Sequence, residues 1–124
     1  MNQGETFKVA VYGTLLAGER NERWAAGALG RVPCVIRGTL HDTGWGYPAF
    51  VPDEEGQAVK AELLTVDANG LARMDILEGY PSLYRREEVE ATLADGTSVK
   101  AMAYVMNRLP ERAKIIASGD WRNR

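Results

Sequence analysis

The chain has 124 residues, 45% of them hydrophobic and 26% charged, the proportions of one globular domain with a single core rather than of a disordered segment. Its formal net charge is −2, so no global basic field recruits nucleic acid or anionic membrane. Cys34 is the only cysteine, which excludes an internal disulfide and fits a reducing compartment.

The first eight residues lack both a basic n-region and an apolar h-region, so no secretory signal is expected. No apolar run approaches the roughly 20 residues of a membrane helix. The expectation is a soluble, cytoplasmic, single domain over residues 1–124, as a monomer or homodimer.

Phe7 to Tyr12 reads as a first strand, with Phe7, Val9 and Val11 on one face. Gly13-Thr14 ends it, and Asn21 is placed to cap a short helix through Ala28. Arg31 to Leu40 contains a strand ending at Gly38-Thr39-Leu40. Asp42 to Phe50, dense in Gly, Pro and aromatics, reads as a loop of the kind that shapes binding sites. Asp53-Glu-Glu-Gly56 then looks like a hairpin tip, with Ala58 to Val66 returning. In that strand Val59, Ala61 and Leu63 alternate with Lys60 and Glu62, which implies one wet side.

A helix is expected from the N-cap Asp67 to Leu77. Its spacing puts Leu71, Met74, Asp75 and Glu78 along one side. A strand follows from Tyr84. Val89–Leu93 and Val99–Met106 form the clearest hairpin, turning at Asp95-Gly96, with Lys100, Met102, Tyr104 and Met106 on one face. Residues 107–124 are less regular, anchored by Ile115-Ile116 and Trp121. Five or six strands and one good helix predict an α+β domain with a curled or barrel-like sheet.

Glu78 stands out chemically. It is the last charged residue before Gly79, and glycine just past a helix end supplies the left-handed turn that stops it. A helix C-terminus carries partial negative charge, which disfavours an ionised carboxylate there. Burial would push its pKa the same way, up, toward the range where a carboxyl exchanges protons at neutral pH. The neighbours Tyr80, Pro81 and Tyr84 are more apolar than a solvated turn requires.

Other chemistries lack their parts. One His and one Cys cannot build His-rich or Cys-rich metal sites. A Cys34–His41 dyad is weaker than a reading of Cys34 as a core hydrophobe beside Val35 and Ile36. No Gly-x-Ser-x-Gly elbow, P-loop or dinucleotide fingerprint is present. Asp75 and Glu78 on one helical face cannot straddle a sugar ring as glycosidase carboxylates do, so Asp75 reads as a structural partner, paired with an Arg. The acidic balance argues against nucleic acid despite Trp45, Trp121 and the terminal arginines. Tyr12-Gly13-Thr14-Leu15 adds a strand-end turn whose successive N–H groups can form an anion nest.

Val11-Tyr-Gly-Thr-Leu-Leu16, Gly38-Thr-Leu40, Tyr47-Pro-Ala49, the Asp75-x-x-Glu78-Gly-Tyr-Pro-x-x-Tyr84-x-Arg86 block and Ser118-Gly-Asp-Trp121 together resemble the gamma-glutamylcyclotransferase-like family. The nearest branch is that of gamma-glutamylamine cyclotransferases and their bacterial relatives. The resemblance runs from Lys8 to Trp121. It implies a small mixed, mainly antiparallel β-barrel with short helices. It also implies a small-molecule gamma-glutamyl substrate, held at its glutamyl head by the backbone of Tyr12, Gly13, Thr14 and Leu15, with Glu78 as general acid/base. The reaction would release 5-oxoproline and a free amine, with no metal and no cofactor. On this reading Tyr12, Tyr84 and Tyr104 frame the pocket. Arg86 holds a carboxylate or pairs with Asp75, and the Trp45-Gly-Tyr-Pro48 loop with Tyr104 meets the leaving-amine side. The rival expectation is a non-enzymatic module binding a gamma-glutamyl or amino-acid-like ligand.

Overall fold

Five strands close on themselves in the computed structural model, which describes residues 4–124. They are β1 (Phe7–Val11), β2 (Gly30–Asp42), β4 (Gln57–Val66), β5 (Tyr84–Leu93) and β6 (Ser98–Met106). The order around the barrel is β2-β4-β1-β6-β5, and a short β2–β5 pairing, Cys34 with Leu93 and Val35 with Thr92, shuts the ring. All neighbours are antiparallel except β1 and β6, which run parallel beside each other at Val9 and Met102. The barrel is therefore small and mixed, as expected.

Closure leaves few sheet edges exposed and buries both ends of the apolar pattern. Val9, Ile36, Leu40, Phe50, Val59 and Leu64 are fully buried. Val9, Ala10 and Val11 are all buried as well, so β1 is covered on both faces and not on one.

Three expectations change. Pro48–Phe50, read as loop, belongs to β3 (Pro48–Pro52), which pairs with the far end of β2 from Gly38 to Asp42. Backbone pairing overrides a composition that otherwise suits a turn. Asp53–Gly56 is not the tip of a β3–β4 hairpin, because those strands lie on opposite flanks of β2. The chain crosses β2 at Gly38, where a Cβ would lie 2.1 Å from the Val51 carbonyl oxygen; a Cβ on Gly56 would lie 2.6 Å from the Gly38 Cα. Two glycines allow that crossing. Finally, Asn21 caps no helix. Only a 3₁₀ turn, Glu22–Ala25, follows it, without a side-chain cap.

One helix, α1 (Ala68–Glu78), joins β4 to β5. Asp67 caps it, accepting from the Gly70 N–H at 2.8 Å, and Gly79 ends it at φ +64°. Leu71 and Met74 bury its inner side, leaving Glu78 at its last turn beside the barrel mouth. A two-residue strand, β7 (Lys114–Ile115), pairs with the end of β2, and Ile116 and Trp121 anchor the C-terminal segment in the core.

Candidate active site

The barrel mouth holds a pocket lined by Tyr12, Gly13, Thr14 and Leu15 after β1, by Tyr47 and Pro48 at the start of β3, and by Glu78, Tyr84 and Tyr104. Its empty space, open mouth included, is about 340 Å³. Residues up to 92 positions apart in sequence meet here. The closed barrel brings them together, since β1 lies next to β6 and β6 next to β5.

Three tyrosines make rigid walls because each hydroxyl is already engaged. Tyr12 donates to the Tyr104 carbonyl at 2.6 Å, Tyr84 to the Pro48 carbonyl at 2.7 Å, and Tyr104 to Asp75 Oδ1 at 2.7 Å. All three phenols are pushed above their ordinary pKa, first by burial. The nearby Glu78 carboxylate adds to the shift in each. They therefore stay neutral donors and contribute shape rather than acid–base chemistry.

Glu78 is different. It is half-buried, and its carboxyl has no hydrogen bond or ion pair among the described residues. Burial alone pushes its pKa up to about 7, and its place at the end of α1 works in the same direction. A group so poised populates both protonation states near neutrality.

Opposite lies the Gly13–Leu15 turn. The amides of Leu16, Ala17, Gly18 and Glu19 are all spent within the protein, on Gly13 O, Glu62 Oε1, Glu22 Oε1 and Leu16 O. Those of Gly13, Thr14 and Leu15 are donors in none of the loop's hydrogen bonds among the described residues. Three consecutive free donors beside a pocket suit an anion.

This loop is braced from behind. Arg31 donates to the Leu15 carbonyl at 3.2 Å and pairs with Glu62, which also accepts from Ala17 N–H at 2.9 Å. Burial raises the Glu62 pKa, but the Ala17 amide, Arg31 and Arg122 outweigh it and hold the carboxyl below its ordinary value. Asn21 donates from Nδ2 to Thr14 Oγ1 at 3.0 Å, and from its amide to the Thr14 carbonyl. Sequence reading missed these supports. Glu62 alternates with core residues as a solvent-facing side chain would, and only the long-range partner Arg31 reveals its task.

Gly13 is required for closeness rather than for a left-handed turn. A Cβ there would sit 2.4 Å from Pro48 Cγ and 2.7 Å from its Cδ. The proline ring belongs to a paired strand and cannot swing away. Gly13→Ala should therefore cost about 1–3 kcal/mol by overpacking, read as a lower midpoint in urea unfolding; an unchanged midpoint would mean that the two loops are not in contact.

Two residues expected to bind substrate stand elsewhere. Arg86 lies outside the pocket lining. Its Nε is 3.7 Å from Asp75 Oδ1, and its guanidinium stacks over the Tyr80 ring at 4.1 Å. The salt-bridge partner anticipated for Asp75 is the role that the geometry gives it. Trp45 is half exposed and also outside the lining; its ring lies tilted beside Tyr47, centroids 6.1 Å apart, with the Arg112 guanidinium over it at 5.9 Å. Tyr47 and Pro48 carry that loop's contribution to the pocket.

Cys34 and His41 form no nucleophilic pair. Both sit on β2 seven residues apart, roughly 23 Å along a strand and on opposite faces. Burial pushes the Cys34 thiol up to about 11. No cluster of three or more His, Cys, Asp or Glu poised for a metal occurs among the described residues.

The profile of the family described as gamma-glutamyl cyclotransferase, AIG2-like, matches residues 9–123. A Vibrio cholerae protein described as a candidate gamma-glutamylcyclotransferase is 37% identical over 115 residues, covering 91% of this chain and 93% of that one. A second such candidate, from Halalkalibacterium halodurans, is 38% identical over 94 residues, 71% of this chain and 81% of its own. The crystal structure of a mouse AIG2-like protein shares the fold, with a TM-score of 0.76 at 24% identity over 86% of this chain and 81% of that chain. A Pyrococcus horikoshii structure described as uncharacterized superposes at 0.69 with 29% identity, over 93% and 89% of the two chains. With a profile that runs from the first barrel strand to the terminal turn, and relatives this similar over most of their length, the chain belongs to the gamma-glutamyl cyclotransferase, AIG2-like family.

Proposed function

We propose that this protein is a cyclotransferase that releases 5-oxoproline and a free amine from a gamma-glutamyl amide. The observation that carries this reading is the meeting, in one pocket, of an unpartnered carboxyl poised near pH 7 with three consecutive uncommitted amides. Family membership supports the reaction class.

The chemistry needs little more. The substrate's α-amine attacks its own side-chain carbonyl, closing a five-membered lactam as the amine leaves. Holding the folded-back rotamer removes most of the entropic cost, since well-oriented intramolecular reactions reach effective molarities of about 10⁵ M or more. The attacking group starts as an ammonium of pKa about 8. Glu78 takes that proton as general base and returns one to the departing amine as general acid. The Gly13–Leu15 amides receive either the substrate's α-carboxylate or the oxyanion that develops on the carbonyl. Tyr12, Tyr84 and Tyr104 confine the rotamer, and Tyr47 with Pro48, the part of the Trp45–Pro48 loop that lines the pocket, faces the leaving amine.

A pH profile of 5-oxoproline release tests this division of labour. The productive pair is ionised Glu78 with the substrate ammonium, or its proton-shifted equivalent. Thus kcat/KM should rise through about pH 7 and fall above about pH 8, the amine's own value. A rate still at its plateau at pH 5 would remove Glu78 from the proton transfers.

A further inference from the structure

The end of α1 carries Glu78, and the fully buried apolar contacts of this helix, Leu71 and Met74, lie one to two turns upstream. In the last turn the partly buried Leu77 packs on the core, an apolar contact that does not fix the direction of the turn by itself. Its final backbone bonds close on themselves: Gly79 N–H reaches Ile76 O at 3.2 Å and Tyr80 N–H reaches Asp75 O at 2.9 Å. Those bonds shape the turn without attaching it to the barrel.

A directional, polar attachment runs through the Asp75 side chain, one turn before Glu78 on the same side of the helix. Asp75 Oδ1 accepts from Tyr104 Oη at 2.7 Å and lies 3.7 Å from Arg86 Nε. Arg86 on β5 and Tyr104 on β6 are direct cross-strand partners. One carboxylate thus accepts a hydrogen bond from one strand and stands at ion-pair distance from the next at a single rung, where the buried Arg86 Nε makes no hydrogen bond. Arg86 also stacks on Tyr80, just past the helix end, so the grip extends around the turn. Tyr104 itself lines the pocket with Glu78.

We infer that Asp75 is a positioning residue: through Tyr104 and Arg86 it ties the last turn of α1 to the β5–β6 hairpin, and so holds Glu78 against the Tyr12–Leu15 loop. This rests on the proposed role of Glu78 but is separable from it. The charged and titratable groups around the pair are few. Tyr12, Tyr84 and Tyr104 face Glu78 electrostatically. Arg86 and Tyr80 flank Asp75. Asn107 makes a lesser tie, donating from Nδ2 to the Pro81 and Ser82 carbonyls at 2.7 and 2.9 Å, beyond the turn that carries Glu78.

A loosened grip admits water to the Glu78 carboxyl, and that is the reading which a purely structural role would not move. The experiment is a carbon-13 NMR titration of Glu78 in the wild type, Asp75→Ala, Asp75→Asn and Tyr104→Phe, beside kcat and KM for a gamma-glutamyl peptide. The wild-type midpoint is expected at about 7. In Asp75→Ala and Tyr104→Phe it should fall by at least about one pH unit toward the ordinary carboxylate range. Turnover should drop about tenfold or more while KM changes little. Asp75→Asn keeps an acceptor for Tyr104 and should retain most of both properties. If Asp75→Ala does not fold, Tyr104→Phe decides. A midpoint unmoved in folded Tyr104→Phe overturns the inference, as does a wild-type midpoint near 4.5. Because the titration needs no turnover, a protein that releases no 5-oxoproline would refute the proposed reaction while the midpoints still judge the grip.

Discussion

Glu78→Gln should lower the rate of 5-oxoproline release by about 10³-fold or more while leaving gamma-glutamyl ligands bound within a few-fold of the wild type. General acid–base assistance by one positioned group is worth about 10²–10⁴. Here a single carboxyl handles two proton transfers, so the upper part of that range applies. Glutamine keeps the shape and the polarity of the side chain. It leaves the Tyr12, Tyr84 and Tyr104 walls intact, whose hydroxyls bond elsewhere. The loss should therefore fall on kcat and not on KM. A non-enzymatic binding module would show the same affinity in both proteins and no turnover in either. Stopped assays of product against isothermal titration of a slow or inert analogue separate the two.

The same substitution should stabilise the protein, and only at high pH. The ordinary glutamate value is 4.5, and burial raises that of Glu78 to about 7. Below pH 4.5 the carboxyl is protonated folded or unfolded, and no penalty applies. Between the two values the folded state keeps a proton that the unfolded chain has released, so stability falls as pH rises. Above pH 7 the group is ionised in both states and the full cost of burying the charge is present. At about 1.36 kcal/mol per unit that cost is roughly 3 kcal/mol. Glu78→Gln removes it. The variant should match the wild type near pH 4.5 and melt about 10 °C higher near pH 8.5. Glu62, whose depressed value makes its contribution disappear as pH falls, is common to both proteins and cancels in the comparison. A melting difference that stays flat across this range would show that Glu78 is solvated, and would leave catalysis without a tuned base. Such a cost at a functional group is the usual exchange of stability for activity.

How much of this was readable beforehand depended on the range of the interaction. Local signals served well. Asp67 and Gly79 mark the ends of α1 through capping chemistry that three or four residues specify. The β5–β6 hairpin announces itself through alternation and an Asp-Gly turn. Glu78 drew attention because an acidic residue at a helix C-terminus opposes the local field, and the Tyr12–Leu15 stretch through its glycine at a strand end. Long-range signals were opaque. The crossing at Gly38 and Gly56 depends on two segments of the chain passing within van der Waals contact, whereas in sequence Gly38 reads only as part of a strand end and Gly56 as part of a hairpin tip. Pro48–Phe50 sits among Gly, Pro and aromatics yet is a strand, because β2 runs on far enough to pair with it. Arg86 faces Asp75 and Tyr80 rather than the pocket; the sequence offers both roles for it, and only the meeting of Asp75 with the β5–β6 hairpin chooses between them. Glu62 shows the same blindness. Its alternation with core residues is correct, but the solvent that alternation implies is displaced by Arg31, Arg122 and the Ala17 amide.

The most direct test of the central claim is the identity of the product. A panel of gamma-glutamyl dipeptides and gamma-glutamylamines, incubated with the wild-type protein and followed by mass spectrometry, should yield 5-oxoproline and the free amine in equal amounts, without glutamate. Cyclisation requires that the substrate's own amine, and not water, attack the carbonyl. Release of glutamate instead would make the protein a hydrolase, and a panel left wholly intact by well-folded protein would contradict the assignment of Glu78 as the acid/base of a cyclotransferase.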